Sequence, residues 1–263
     1  PARTGIYGDS DQPLADQWIY HAAADTILAH SLLRSRPEVD PQKVGVCGIS
    51  WGGVITSTVI GIDSRWAFAI PIYGCGHLAD AGNQYGRALG SNPLYREVWD
   101  PMVRLPRVQF PVLWLSWPGD QHFPLDCQAA SYRAAPGPRM VALIPEMKHS
   151  HPAGWNPPDS YAFAESIVRT GRPWLRVAAQ RASGGEARVE FVSTDPLDSA
   201  ALLSSADPGI TGARKWMATS ATLERRADRW VATAPLPPGT RAWFINVRRG
   251  SLTASSDFHE ISP

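Results

Sequence analysis

The most constraining feature of this sequence is an apolar run that leads into the pattern G-x-S-x-G at positions 48–52. The run at 43–47 predicts a β-strand, and the residues from Gly53 onward predict a helix, so Ser50 falls at a sharp turn. We expect glycine at positions 48 and 52 because a Cβ atom there would collide with backbone. Such a turn exposes the Ser50 hydroxyl and directs the N–H of Trp51 at the same point.

Two further strand ends supply the partners that a nucleophilic serine needs. Residues 111–117 predict a strand that ends just before Asp120, and residues 139–145 predict a strand that is followed by His149. Serine is a weak nucleophile at neutral pH, so an imidazole must take its proton and a carboxylate must hold that imidazole in the correct tautomer. The chain order of Ser50, Asp120 and His149 therefore predicts a catalytic triad.

Two of these three residues have rivals nearby. Asp126 lies in the same loop as Asp120, but it is predicted to be in the first turn of a helix, where an acid complements the helix dipole, so we favour Asp120. His151 competes with His149, and the distance from the preceding strand favours His149. His122 is either a substrate contact or a surface histidine. No metal site is predicted, because the histidines lack paired ligand spacing and no C-x-x-C motif is present.

Four segments carry a resemblance to a known family. They read V-D-P-Q-K-V-G-V at 39–46, G-I-S-W-G-G at 48–53, A-I-P-I-Y-G-C-G at 69–76 and H-S-H-P-A-G-W at 149–155. Together they resemble the acetyl xylan esterase-like branch of the dienelactone hydrolase and prolyl oligopeptidase group. The resemblance implies that Ser50, Asp120 and His149 are nucleophile, acid and base. It also implies that esters, often acetyl groups on carbohydrates, are cleaved without a cofactor.

Several aromatic and polar residues are candidates for the oxyanion and substrate pocket. Trp51 follows the nucleophile, Trp155 lies beyond His149 in the same segment, and Tyr73 and Gly74 lie at a strand end that faces the same edge. His151 is expected to line the pocket or to be solvated if His149 is the base. Four other tryptophans are predicted to fill cores, namely Trp114, Trp216, Trp230 and Trp243.

The periodicity of the chain changes near residue 171. Residues 1–171 alternate helices and apolar strands, which predicts an α/β-hydrolase catalytic domain with a cap-like insertion near 76–107. Residues 173–263 have a period of two and predict a small all-β sandwich, immunoglobulin- or fibronectin-like. We expect this second domain to hold no triad member and to add no strand to the first sheet.

Fewer strands precede the serine than the resemblance implies. An α/β-hydrolase has about four strands before the nucleophile strand, and the loop after the third donates the second oxyanion N–H. Residues 1–42 offer only a loop and one helix. The alternatives are a reduced core or a partial fold whose N-terminal strands come from a preceding segment or a companion chain, and we favour the partial fold because missing strands would expose a long sheet edge. If the chain supplies its own second donor, the candidate is the segment 4–7.

Composition excludes several classes of partner. The formal net charge of 263 residues is +1 and no basic block is present, so we expect neither nucleic acid nor an anionic membrane as a partner. No apolar run is long enough to span a bilayer. The three cysteines are expected to be free, buried thiols, with Cys47 and Cys75 in core strands. Because members of the family it resembles are commonly exported, we expect a periplasmic or extracellular location.

These observations predict a serine carboxylesterase that acts on a small-molecule or carbohydrate ester. Two alternatives remain open. A serine peptidase of the prolyl oligopeptidase type would use the same triad, although this chain contains no propeller repeats. A non-catalytic carbohydrate-binding protein on a hydrolase fold would be favoured if Ser50 were buried.

Overall fold

The computed structural model describes residues 5–209 and 211–261. Helices and strands alternate up to residue 170, as the sequence predicts. The strands of this first part are β1 (Val46–Ile49), β2 (Ala69–Ile72), β3 (Val112–Ser116) and β4 (Arg139–Leu143). The helices are α1 (Trp18–Arg34), α2 (Trp51–Val59), α3 (Gln84–Leu89), α4 (Leu125–Ala134), α5 (His151–Trp155) and α6 (Pro158–Thr170).

The four strands form a parallel sheet in chain order. Every residue of β2 and β3 is buried, as expected for strands that are covered on both faces. Because the strands are parallel, their carboxyl ends lie along one edge of the sheet. The loops that follow β1, β3 and β4 carry Ser50, Asp120 and His149, so the topology directs these residues to that edge.

The predicted boundaries around the serine need a correction. The strand was expected from residue 43 and the helix from residue 53, whereas β1 begins at Val46 and α2 begins at Trp51. The physical reason is that Ser50 makes the whole turn by itself, so no connecting residues separate the strand from the helix. Pairing does continue before β1, since the N–H of Ala67 donates to the carbonyl of Val44 over 2.9 Å.

β1 is the outermost strand of the sheet among the described residues. Cys47 is consequently exposed, which corrects the expectation that it lies in a core strand, whereas Cys75 is buried as expected. The N-terminal strands that the resemblance implies are not among the residues that the structure describes, and their source remains a prediction.

The insertion between β2 and β3 consists of short helical pieces, and its role as a cap stays a prediction. Besides α3, it contains three 3-10 turns and a π-helical turn at Tyr95–Trp99. Its aromatic residues Tyr85, Tyr95 and Trp99 are buried and point into the protein core. No helix among the described residues is long and apolar enough to cross a membrane.

The second part of the chain is built of antiparallel strands, as its period of two predicts. They are β5 (Leu175–Ser183), β6 (Glu186–Ser193), β7 (Ser199–Ser205), β8 (Met217–Arg226), β9 (Arg229–Pro235), β10 (Ala242–Arg249), β11 (Leu252–Ser255) and β12 (His259–Glu260). The first half of β8 pairs with β7 and its second half pairs with β9. This one strand therefore joins two sheets.

The second part also extends the first sheet, which differs from our expectation. β11 pairs with β4 in antiparallel register through Ser255 and Val141. The sheet therefore runs from β1 through β4 into β11, β10 and β7. The physical reason is that the outer edge of β4 would otherwise present unpaired N–H and C=O groups. The division into two domains near residue 171 remains a prediction.

A buried polar bridge reinforces this junction. The side-chain amide of Asn246 donates to the carbonyl of Leu143 over 2.8 Å, and the Ser255 hydroxyl donates to Asn246 Oδ1 over 2.6 Å. The same hydroxyl accepts the Leu143 N–H at 2.7 Å. Because all of these groups are buried, each of them depends on the others for a hydrogen-bond partner.

We expect Asn246→Ala to lower the free energy of unfolding by about 2 kcal/mol, because Leu143 and Ser255 would keep buried polar groups without a partner. Asn156→Ala is the matched control, since Asn156 is exposed at the end of α5. Denaturant unfolding of the two variants measures the difference. Equal stabilities would show that the bridge does not hold the two parts together.

Candidate active site

Ser50 lies in a strained turn at the carboxyl end of β1. Its backbone has φ 60° and ψ −118°, a conformation that a residue with a side chain adopts only when its surroundings enforce it. The Ser50 N–H donates to the carbonyl of Ile72 over 2.9 Å, and the Ser50 carbonyl accepts the N–H of Val54 at 3.1 Å. The turn is thus fixed by β2 on one side and by α2 on the other.

Three glycines make the close approach around this turn possible. A Cβ atom on Gly48 would lie 2.1 Å from the carbonyl oxygen of Gly52, and one on Gly74 would lie 2.3 Å from the carbonyl oxygen of Ser50. One on Gly53 would lie 2.7 Å from the carbonyl oxygen of Ile72. The expectation for Gly52 is wrong, because a Cβ there would meet nothing within 4 Å. The carbonyl group of Gly52 makes the close contact, and its Cα faces open space.

His149 reaches Ser50 from the loop after β4. Its Nε2 lies 2.8 Å from Ser50 Oγ, and its side chain is 17% exposed. Two aromatic rings flank the imidazole nearly in parallel: Tyr73 with ring centres 4.4 Å apart and Phe123 with ring centres 5.7 Å apart. These rings restrict rotation of the imidazole, so the Nε2 atom stays directed at the hydroxyl.

Asp120 holds the other side of the imidazole. Its Oδ2 lies 2.7 Å from His149 Nδ1, and its side chain is completely buried. Its Oδ1 accepts the backbone N–H groups of His122 at 2.8 Å and Phe123 at 3.0 Å. With the Nδ1 proton donated to the carboxylate, Nε2 is left free to accept the proton of Ser50.

Tyr73 supports His149 through its hydroxyl as well as its ring. The hydroxyl donates to the carbonyl of Lys148 over 2.8 Å, directly before the histidine. Burial raises the pKa of Tyr73 to about 12, so the phenol keeps this proton at neutral pH. The buried amide of Gln128 donates to the Tyr73 carbonyl and, over 2.9 Å, to the hydroxyl of Ser116. Tyr73 is itself held at φ 63° beside Gly74.

Trp51 is the first residue of α2, so its N–H has no acceptor within the helix. This N–H follows the serine and belongs to the positive end of the helix dipole. The indole ring packs edge-on against the rings of Tyr85 and Trp18, with ring centres 5.5 Å and 5.8 Å apart. Burial raises the pKa of Tyr85 to about 12, with a further rise from the charge of Asp120. The wall beside the serine is therefore aromatic and uncharged.

The segment proposed for a second oxyanion donor is described only from residue 5 onward, and Thr4 lies outside the described residues. Tyr7 is buried with φ 53°, and its ring centre lies 5.9 Å from that of Trp51. The N-terminal loop thus reaches the wall beside Ser50.

His122 lies next to the base. Its ring centre is 5.2 Å from that of His149, and its Nδ1 lies 2.7 Å from the side-chain nitrogen of Gln84 in α3. The neighbouring Asn83 donates to the carbonyls of Gln121 and His122 over 2.7 Å and 2.9 Å. Sequence reasoning missed Asn83, Gln84 and Gln128, because their partners lie tens of residues away along the chain.

The remaining candidates from the sequence are His151, Trp155 and Asp126. His151 is the exposed first residue of α5. Trp155 ends the same helix, is 62% exposed and makes its ring contact with Tyr161. Asp126 lies in the first turn of α4, as expected. No group of three or more potential metal-ligating side chains is found among the described residues.

No protein-family model matches this chain. The comparison with curated proteins also gives no match. Among solved structures, an acetyl xylan esterase from Thermoanaerobacterium is 20% identical with a TM-score of 0.46, over 54% of this chain and 51% of that chain. An acetyl xylan esterase from Paenibacillus is 24% identical with a TM-score of 0.45, over 52% of this chain and 49% of that chain.

A puromycin-hydrolysing peptidase from Mycobacterium tuberculosis is also similar in structure. It is 21% identical with a TM-score of 0.45, over 51% of this chain and 22% of that chain. The matched region of this chain spans about half the length of the two esterases and about a fifth of the peptidase. The case for a function therefore depends on the geometry around Ser50.

We expect Gly48→Ala to lower the free energy of unfolding by about 3 kcal/mol or more, because the new Cβ would meet backbone that cannot move without opening the turn. Gly52→Ala is the matched control and should stay within about 1 kcal/mol of wild type, because its Cβ has open space in a helix. Thermal or denaturant unfolding compares the two. A stability loss at position 52 as large as that at position 48 would contradict the geometry of the turn.

Proposed function

We propose that this chain is a serine carboxylesterase. The proposal depends on one observation, the unbroken chain of hydrogen-bonding contacts from Ser50 through His149 to Asp120, which begins at a serine in a strained turn. Serine, imidazole and carboxylate in this geometry are the groups that acyl transfer requires. Ser50 is partly exposed, which supports a catalytic role over a non-catalytic binding role.

In the proposed mechanism, Ser50 Oγ attacks the ester carbonyl carbon while His149 Nε2 takes the hydroxyl proton. Asp120 stabilises the imidazolium that forms. The oxyanion accepts the backbone N–H of Trp51, the first residue of α2. His149 then gives its proton to the leaving alcohol, and an acyl-enzyme remains. Water activated by the same imidazole releases the acid and restores Ser50.

The proposed substrates are acetyl esters of carbohydrates, in line with the resemblance in the sequence. The uncharged aromatic wall of Trp51 and Tyr85 fits a neutral substrate. His122, His151, Trp155 and Gly74 remain proposed pocket residues. The periplasmic or extracellular location is also part of the proposal, again on the strength of the resemblance.

We expect Ser50→Ala and His149→Ala each to lower kcat/KM for a short-chain aryl ester by about a thousandfold or more, because the two residues act as one unit. His151→Ala is the matched comparison and should lower kcat/KM much less, because a pocket residue does not carry the proton. Circular dichroism checks that all three variants fold. If His151→Ala is the inactive variant, the base has been assigned to the wrong histidine.

The choice between esterase and peptidase requires a comparison of substrates. We expect wild-type kcat/KM for an O-acetylated xylo-oligosaccharide to exceed that for an N-acetylated peptide by about a hundredfold or more. Release of acetate and of free amine measures the two reactions, and Ser50→Ala provides the blank. Faster cleavage of the peptide would favour a serine peptidase that uses the same residues.

A further inference from the structure

The loop that carries Asp120 touches the β-rich part of the chain. The indole Nε1–H of Trp216, just before β8, donates to the carbonyl of Pro118 over 3.2 Å. In the same segment Gly212 lies directly against the loop, since a Cβ on it would be 2.2 Å from the carbonyl oxygen of Asp120. Both contacts cross between parts of the chain that are about a hundred residues apart in sequence.

Trp216 is held rigidly where it makes this contact. Its ring packs edge-on against Phe244 and Phe258, with ring centres 5.0 Å and 6.2 Å apart. Phe244 lies in the middle of β10 and is fully buried, and Phe258 is almost fully buried. The indole donor is therefore fixed by the core of the β-rich part.

Other contacts hold the acid loop as well, and one of them is the indole N–H of Trp117, which donates to the carbonyl of Pro145 over 3.0 Å. Inside the loop, the Asp120 N–H donates to the carbonyl of Trp117 over 3.1 Å. From the side of the insertion, Asn83 donates to the carbonyl of Gln121 over 2.7 Å. Trp216 and Gly212 contact the same loop from the β-rich part of the chain. Two different parts of the chain thus contact the loop that carries Asp120.

We propose that Trp216 and Gly212 are positioning residues that act through Asp120. They set the position of the acid loop, so that Oδ2 stays within hydrogen-bond distance of His149 Nδ1. The β-rich part thereby takes part in acyl transfer without touching the substrate. This inference rests on the proposed esterase function. A shift of about 1 Å away from productive geometry can cost up to about a hundredfold in rate, so a small release of the loop should be measurable.

Two pairs of variants test the proposal in the full chain. Trp216→Phe removes the N–H and keeps an aromatic ring, and its control is Trp243→Phe. Trp243 is fully buried in β10, and its Nε1 has no hydrogen-bond partner among the described residues. Gly212→Ala adds a methyl group against Asp120, and its control is Gly209→Ala, where a Cβ meets nothing within 4 Å.

The first readout is steady-state hydrolysis of a short-chain aryl ester. We expect Trp216→Phe to lower kcat roughly tenfold while KM changes less than about twofold, because the acid acts on the reacting groups and not on substrate binding. Gly212→Ala should lower kcat further, and both controls should match wild type. Equal activity in each variant and its control would overturn the proposal.

The second readout does not depend on activity. The proton shared by His149 Nδ1 and Asp120 gives a downfield proton NMR signal, identified by its loss in Asp120→Ala. We expect this signal to weaken in Trp216→Phe and Gly212→Ala and to persist in both controls. Its persistence in all four variants, or its absence from wild type, would refute the positioning role.

The two readouts also separate failure of the inference from failure of the proposed function. If wild type shows no Ser50-dependent hydrolysis, the esterase proposal fails, yet the NMR signal still decides whether Trp216 and Gly212 position Asp120. A kcat loss in Trp216→Phe that is matched by Trp243→Phe, with equal loss of unfolding free energy, would show a merely structural role and overturn the inference. If Gly212→Ala does not fold, Trp216→Phe carries the test.

Discussion

The close backbone contact between the turn at Ser50 and the end of β2 is the constraint on which the site depends. Gly74 lets the chain after β2 pass within contact distance of the Ser50 carbonyl, and the Ile72 carbonyl accepts the Ser50 N–H. Together they hold a serine backbone in a conformation that it would leave if released. The same strand end continues into Tyr73, which supports His149 by its ring and its hydroxyl. One short segment thus fixes both the nucleophile and the base.

Local chemistry explains why much of this arrangement could be predicted from the sequence. A parallel sheet brings the carboxyl ends of its strands to one edge, so polar residues just after β1, β3 and β4 must meet there. That rule predicts that Ser50, Asp120 and His149 lie at one edge, and in the structure hydrogen-bonding contacts join the three residues. Their catalytic role is a proposal.

The residues that prediction missed depend on contacts between distant segments. Trp216 was expected to fill the core, and only the fold reveals that its N–H reaches the carbonyl of Pro118. Gly52 looked like a steric requirement of the turn, but the direction of its missing Cβ cannot be read from a motif. Cys47 looked like a core residue because an edge strand and a central strand can have the same apolar pattern. In each case the missing information was which segments lie next to each other.

The pairing of β11 with β4 has a consequence for biosynthesis. The residue that pairs with Val141 is Ser255, which a ribosome adds roughly 5 to 20 seconds after it has made β4, at ordinary elongation rates. During that interval β11 does not yet exist, so the outer edge of β4 has no native strand to pair with. In nascent chains of this protein, the edge of an apolar strand is therefore free to pair with other nascent chains during this interval. Chaperones that bind such edges would act in the same interval.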